Sequence, residues 1–549
     1  MKRVIRFVCH SFIWIAIIAV SPACRQEAGD TAFTRILRYN QPNAVTSLDP
    51  AFARSQSNIW AVGHLYSGLV QLNDQLEVKP CLAKSWAISD SGLTYTFHLR
   101  PDVYFHDDPA FPGGTGRAVT ARDVVYSFSR ILDESVHSPG SWIFRGKVAD
   151  QSPFSAPDDS TFVLRLRQPF LPMMGILTMP YCYIVPQEAV DRYGFDFRTH
   201  PVGTGPFKYR NWLEGEALAL IRNDHYFETS AEGEPLPWLD GVLVSFMNDR
   251  KTAYLQLLQG KVDIITGLES SYVDDLLTPD GQLQPHHADK LALVKAPFLN
   301  TEYLGFNLQS LPEDSPFRDK RVRQAMNWGI DRQLMLKTLR NTVGVAANAG
   351  FVPRGLPSFQ PDKVAGYGYR PELAQRLLAE AGYPAGEGLP ELVLNTTKDY
   401  LDLCTFITRQ WEDLGFTVRI EMTESATLRQ MMSTGQTPFF RASWIADYPD
   451  AESFLTVFYG GNPAPPNYTR FQNTEFDRLY ELALGEVNDS LRYDLYHQMD
   501  RILVDEAPVI FLFYDETAIF TAKQVDNVSK NALNVLKVRQ MKLEEDLEG

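Results

Sequence analysis

Between Phe439 and Phe454 the chain reads FFRASWIADYPDAESF, a largely apolar run in which Arg441 and Asp447 lie six residues apart. In an extended strand alternate residues share a face, so Arg441, Ser443, Ile445 and Asp447 would line one side. Six residues at the rise of a strand separate the two charges by roughly 20 Å, less the reach of the arginine side chain. A cation and an acid held this way can take the opposite charges of a guest. Each residue also has a plainer reading. Asp447 suits an Asx turn before Tyr448-Pro449, Arg441 suits a solvated or ion-paired strand position, and Trp444 on the opposite face suits the core.

Other chemistry is sparse. The chain has no G-x-S-x-G elbow, no H-E-x-x-H and no Walker sequence, the local signatures of common hydrolases and nucleotide enzymes. Of the ten histidines only His286 and His287 adjoin; no acid is spaced to complete a metal site with them, so a solvated loop is expected and no metal. Gly203-Thr204-Gly205 lacks the third glycine of a dinucleotide fingerprint, and Pro206 stands where a helix should start, so a structural turn is expected. No C-x-x-C pair occurs. With Cys9 and Cys24 near the N-terminus, Cys81, Cys182 and Cys404 remain, an odd number best read as buried free thiols. No cofactor and no turnover are expected.

The ends and the charge place the chain. Residues 1–23 carry Lys2, Arg3 and Arg6, then an apolar run from Phe7 to Val20, then Ser21-Pro22-Ala23-Cys24. This basic, apolar, small-residue order is that of a secretion signal, and the apolar run is short for a membrane span. Cleavage after Ala23 is expected. A small residue before cysteine also resembles the lipobox of bacterial lipoproteins, which would make Cys24 a lipidated first residue followed by a polar tether over 24–30; Ser21 replaces the usual leucine. The formal net charge of −15 argues against nucleic acid, which requires clustered Lys and Arg. At 549 residues the chain exceeds one compact core, and two or three lobes are expected.

The elements that must position these residues read as follows. Tyr95, Phe97 and Leu99 alternate with polar residues, a strand signal. Thr120 and Asp123 form an N-terminal capping pair for a helix carrying Val124, Phe128 and Ile131. Strands follow at Thr161 to Arg167 and after Pro201, then a short helix from Thr252 to Gly260 and the strand VDIIT. PFRDKRVRQAMNWGIDRQLMLKTL, from Pro316, predicts one long helix. YRPELAQRLLAEAGY predicts another, with Pro371 near its start and Gly382 at its end. Helices alternate with the strands LVLNTT and TVRIEM beyond it, the pattern of an α/β lobe with a largely parallel sheet.

Ten segments occur in one order along nearly the whole chain: SLDP at Ser47, LYSGLV at Leu65, VTARDVVYSFSRIL at Val119, PVGTGPF at Pro201, RNDHYF at Arg222, GKVDII at Gly260, LGFN at Leu304, PFRDKRVRQAMNWGIDR at Pro316, ADYPD at Ala446 and NTEFDRL at Asn473. Together they resemble extracellular solute-binding protein family 5, the peptide- and oligopeptide-binding proteins of ABC importers. The resemblance implies an α/β class II periplasmic-binding-protein fold, with two hinged lobes and an additional domain in the first half. The hinge lobe would take 31–68, 200–297 and 512–549, the additional domain 69–199, and the second lobe 298–511.

It also implies a function: capture of short peptides outside the cytoplasm by hinge closure, for delivery to ABC permease and ATPase subunits, by a monomer anchored to the membrane through lipid. FRASWIADY matches the run in which family members anchor a peptide. By that match Asp447 pairs with the α-ammonium and Arg441 with the carboxylate end. Ser443 and Ile445 offer backbone hydrogen bonds, and Trp444 and Tyr448 shape the pocket wall. Two departures bear on this: Asp450-Ala451 replaces a common D-P, and Arg54 stands near a place where peptide binders can carry an acid. The same scaffold serves nickel chelates, haem, opines and oligosaccharides, so fold alone does not name the ligand. A secreted hydrolase with an unrecognised site is the remaining alternative.

Overall fold

The computed structural model describes residues 34–89, 91–267 and 272–544. The signal segment, Cys24 and the tether lie outside the described residues. Two strands organise the rest. Leu291–Phe306 and Val509–Ala522 are 16 and 14 residues long and run antiparallel from Leu291↔Ala522 to Gly305↔Val509. The buried, nearly continuous apolar runs of Val509–Ala522 (VIFLFY, then AIFTA) are what a strand covered on both faces requires, while Leu291–Phe306 is buried throughout only from Leu299 onward. The pairing shifts register between Pro297 and Thr301, so the ladder is interrupted about midway along both strands.

On either side of that interruption the sheet extends in a different direction. Spatial order runs Val418–Met422, Leu392–Thr396, Phe439–Ile445, the two long strands, Ile264–Thr266, Ile36–Asn40, Gly241–Ser245, Ala217–Arg222, Phe207–Leu213. One half, beside Thr301–Phe306, is covered by helices from the C-terminal region around a core that includes Phe306, Met326, Trp411 and Phe439. The other half, beside Leu291–Pro297, is built from early and late segments. This is a mixed α/β, two-lobed fold in which both lobes share one pair of strands. Only the three outermost strands of the C-terminal half are mutually parallel. The strand Phe439–Ile445 meets its long neighbour antiparallel, which corrects the expectation of a largely parallel sheet: the shared strands are not joined to it by βαβ crossovers.

A second, four-stranded antiparallel sheet has the order Ala83–Ile88, Thr94–Leu99, Thr161–Arg165, Phe154–Asp158. Helix Ala121–Leu132 packs on it through Val124, Phe128 and Ile131, all buried. Phe128 sits 5.0 Å from Phe144 and 5.4 Å from Phe162, ring centre to ring centre. The helix starts as its sequence demands, with the Thr120 N–H donating to Asp123 Oδ2 at 2.8 Å. The helix expected from Pro316 is in fact three pieces, Pro316–Arg318, Lys320–Trp328 and Arg332–Arg340. Gly329 ends the second, and the Asp331 carboxylate starts the third by accepting the Leu334 N–H at 2.9 Å, a local cap that overrides the apolar periodicity. Gly203 and Gly205 pack directly on the backbone of Leu65, a close approach that leaves no room for a Cβ and accounts for that turn. Cys81, Cys182 and Cys404 are buried and free. Among the described residues no helix is long and apolar enough to cross a membrane.

Candidate functional site

The strand Phe439–Ile445 ends at the mouth of a cavity of about 570 Å³. Its walls come from early segments (Arg54, Trp60), from the region of the four-stranded sheet (Tyr181), from the C-terminal segment (Asn534) and from Ile445 and Asp447. A guest here would touch both halves of the molecule.

Asp447 is oriented by its backbone, whose N–H donates to Ser453 Oγ at 3.1 Å. Its carboxylate takes no hydrogen bond and no ion pair among the described residues. The turn that follows is held instead by Asp450, which accepts from the Glu452 N–H at 2.9 Å and the Tyr496 hydroxyl at 2.7 Å. The Asx-turn task therefore belongs to Asp450. More than a third of Asp447's surface is open, but it opens into the cavity, where surrounding protein displaces most of the water that would solvate a charge. Burial accordingly pushes its carboxyl up from 3.8 to about 6.

One other side chain on the wall is charged and unpartnered. Lys537 is held by Asp74 at 3.2 Å and Arg539 by Glu228 at 2.8 Å. Arg54 is exposed to the cavity and has no side-chain partner among the described residues. Tyr181 senses both free charges: its phenol is pushed up to about 12 by burial first and by the Asp447 carboxylate second, with Arg54 opposing. An unpaired acid and an unpaired base thus act on one hydroxyl across the cavity.

The remaining expected residues divide. Ile445 lines the cavity and is exposed. The Ala446 N–H donates to Leu299 O at 2.9 Å, which fixes alternation along the strand: Ser443 and Ile445 turn their N–H and C=O groups away from the long strand. On that far side Leu392–Thr396 pairs only at Asn395↔Phe440, so the edge beyond Arg441 is uncovered. Arg441 corrects the expectation of a carboxylate partner. It is buried, ion-paired with Glu302, and its guanidinium lies over the Tyr400 ring. Register explains the pair: Glu302 is opposite Ser443 and Leu304 opposite Arg441, so acid and base are diagonal neighbours on one face. Trp444 and Tyr448 are not on the cavity wall. The Trp444 indole N–H donates to Ser453 O and its ring packs on the core. Tyr448 is buried, donates to Glu452, and stacks 6.4 Å from Trp142.

A second constellation was not expected. Asp275, from the turn Val273–Leu276, comes beside His286 and His287, with ligand atoms all within 4.8 Å of one another. Nothing local to the histidines announces the acid, because a loop brings it back.

The cavity between lobes sharing two crossing strands, with an unpaired charge on its wall, defines a ligand-binding protein whose guest site is walled by both halves. Residues 77–466 match the family model for bacterial extracellular solute-binding proteins, family 5. The chain belongs to that family. It is similar to the Heme-binding protein A of Haemophilus influenzae, 29% identical and covering 81% of each chain, and to the periplasmic murein peptide-binding protein MppA of Escherichia coli, 28% identical over 93% of each. Among solved structures it resembles the ABC transporter-associated periplasmic binding protein DppA of Helicobacter pylori in complex with peptide STSA, with TM-score 0.75 and 25% identity over 93% of this chain and 98% of that one. These relatives are substrate-binding proteins, and the family is extracellular.

Proposed function

We propose that this protein is the substrate-binding component of an ABC importer and captures short peptides without chemical turnover. The observation that carries the reading is the Asp447 carboxylate, which lines the cavity, has no partner among the described residues and is raised to about 6. A carboxylate kept at that cost of solvation is suited to a guest that brings a positive charge, and a peptide α-ammonium is one. The free strand edge at Ser443 and Ile445 would add main-chain hydrogen bonds that are blind to side-chain identity. Arg54, the other unpaired charge, takes the carboxylate role that Glu302 withdraws from Arg441.

Closure would pivot where the shared strands lose register, between Pro297 and Thr301. Ligand favours the closed state because only there do wall residues of both lobes reach it. A permease and an ATPase on other chains would complete the importer, and Cys24, once lipidated, would tether a monomeric receptor to the membrane through residues 24–30. The test is mass spectrometry of small molecules released by denaturing protein purified without refolding. Peptides of a few residues are expected; haem, a nickel chelate, an opine or a sugar as the bound species would overturn the reading.

A further inference from the structure

Outside the cleft, the groups around Asp275 are arranged in a way that internal hydrogen bonding does not explain. His287 is 7% exposed, and its Nε2 has no hydrogen-bond partner among the described residues. An imidazole nitrogen sealed from water in this way normally finds a donor or acceptor. The nearest acid, Asp275, holds Oδ2 at 3.8 Å from it, beyond hydrogen-bond reach, and Oδ1 at 3.5 Å from His286 Nε2. Two imidazole nitrogens and a carboxylate therefore converge without bonding one another. A metal about 2.1 Å from each ligand spaces its ligands at roughly 3.4 Å in a tetrahedron; one ligand atom from each of the three residues already lies within 4.8 Å of the others, so a small inward turn of the exposed His286 and Asp275 side chains would close the shell.

The supports are in place as well. Asp275 accepts from the Tyr254 hydroxyl, the outer contact that fixes a ligating carboxylate. Tyr254 stacks on Tyr272 with ring centres 5.0 Å apart. His286 and Asp275 are exposed, so a cation has a path in and water can fill a fourth position.

We propose that Asp275, His286 and His287 form a site for a borderline divalent transition metal of the Zn²⁺ or Ni²⁺ type, separate from the ligand cleft. Nitrogen and carboxylate donors together select such ions over Ca²⁺ and Mg²⁺, which take all-oxygen shells. Occupancy would pin the turn Val273–Leu276 to Pro285–His287. That turn also meets the other half of the molecule, since Asp274 accepts from Asn341 at 3.0 Å.

The experiment titrates chelator-stripped protein with Zn²⁺ against a chromophoric competitor and follows thermal unfolding with and without the ion. One tightly bound Zn²⁺ per chain and a rise in melting temperature are expected. His286→Ala, at an exposed position that should fold normally, is expected to weaken binding by about 100-fold or more and abolish the rise; Asp447→Asn should leave both unchanged. No binding above a weak background, or undiminished binding in His286→Ala, would overturn the site. Loss of binding in Asp447→Asn would place the ion in the cleft and overturn it equally.

Discussion

Replacing Asp447 with Asn separates a binding residue from a structural one, because the two roles predict opposite changes in stability. In the folded protein the carboxyl sits near 6 instead of 3.8. Its folded value lies above its unfolded one, so its contribution favours the fold at low pH, is fully present below about 3.8 and is lost as pH rises through 6. At neutral pH the charged group is therefore a cost. Two units at about 1.4 kcal/mol each set a ceiling of about 3 kcal/mol. With more than a third of the residue open to cleft water, screening reduces this to about 1 kcal/mol. Asp447→Asn should thus melt roughly 1–2 °C higher at pH 7.5.

Binding should move the other way. Truncating one partner of a buried charge pair leaves the other uncompensated, a loss of about 3 kcal/mol, or roughly 100-fold in Kd. The assay is calorimetric titration with the tetrapeptide STSA, the ligand of the Helicobacter pylori structure, beside its N-acetylated form. The ammonium favours the ionised carboxylate, so affinity of the free peptide should hold between about pH 7 and 8, where the peptide's own amine is still charged, and fall about tenfold per unit below pH 6. The acetylated peptide, and the Asn variant with either peptide, should show no such slope. A variant that binds the free peptide as tightly as the native protein would refute the ammonium anchor. So would a variant that melts several degrees lower, because Asp447 would then have an internal partner.

Three further expectations follow from the same pairings. Arg54→Ala should weaken STSA by about tenfold and its C-terminal amide hardly at all, measured in the same calorimeter; an equal loss for both would remove Arg54 as the carboxylate partner. Glu302→Gln leaves the Arg441 guanidinium buried without its counter-charge and should cost about 3–5 kcal/mol in denaturant unfolding, and an unchanged midpoint would mean that Arg441 is not held as described. Gly350→Ala should destabilise by about 2 kcal/mol or more by the same measurement. Gly350 has φ +91°, and a Cβ there would strike Asp500, whose buried carboxyl, pushed up to about 7, accepts the Phe351 and Val352 N–H groups.

Local pattern was a good guide wherever local forces decide the structure. The alternation through Tyr95, Phe97 and Leu99 and the cap at Thr120 are settled by residues within a turn of one another, and both are seen. The helix from Pro316 shows the limit even there: Gly329 and Asp331 carried stop and start signals that the longer periodicity masked. The site is harder to read, because partners distant in sequence assign its charges. Nothing in FFRASWIADY reveals that Glu302, 139 residues earlier, lies diagonally across from Arg441. Only strand register makes one member of the Arg441–Asp447 couple structural and leaves the other free. Asp275 reaches His286 and His287 in the same way, through a loop whose return cannot be read from composition.

The two charges of the strand therefore owe their different fates to depth and not to type. Arg441 lies where the sheet is still flanked on both sides, by Asn395 at Phe440 and by Glu302 across the ladder, and a charge at that depth must be neutralised from within. Asp447 lies past the last paired residue, where the sheet gives way to the cavity and no described side chain supplies a counter-charge. A guest that supplies one relieves the desolvation that holds the carboxyl near 6, and it does so most fully when closure removes the remaining water. On the proposed reading the unpaired acid would couple charge recognition to lobe closure in one residue, and its removal should weaken both together.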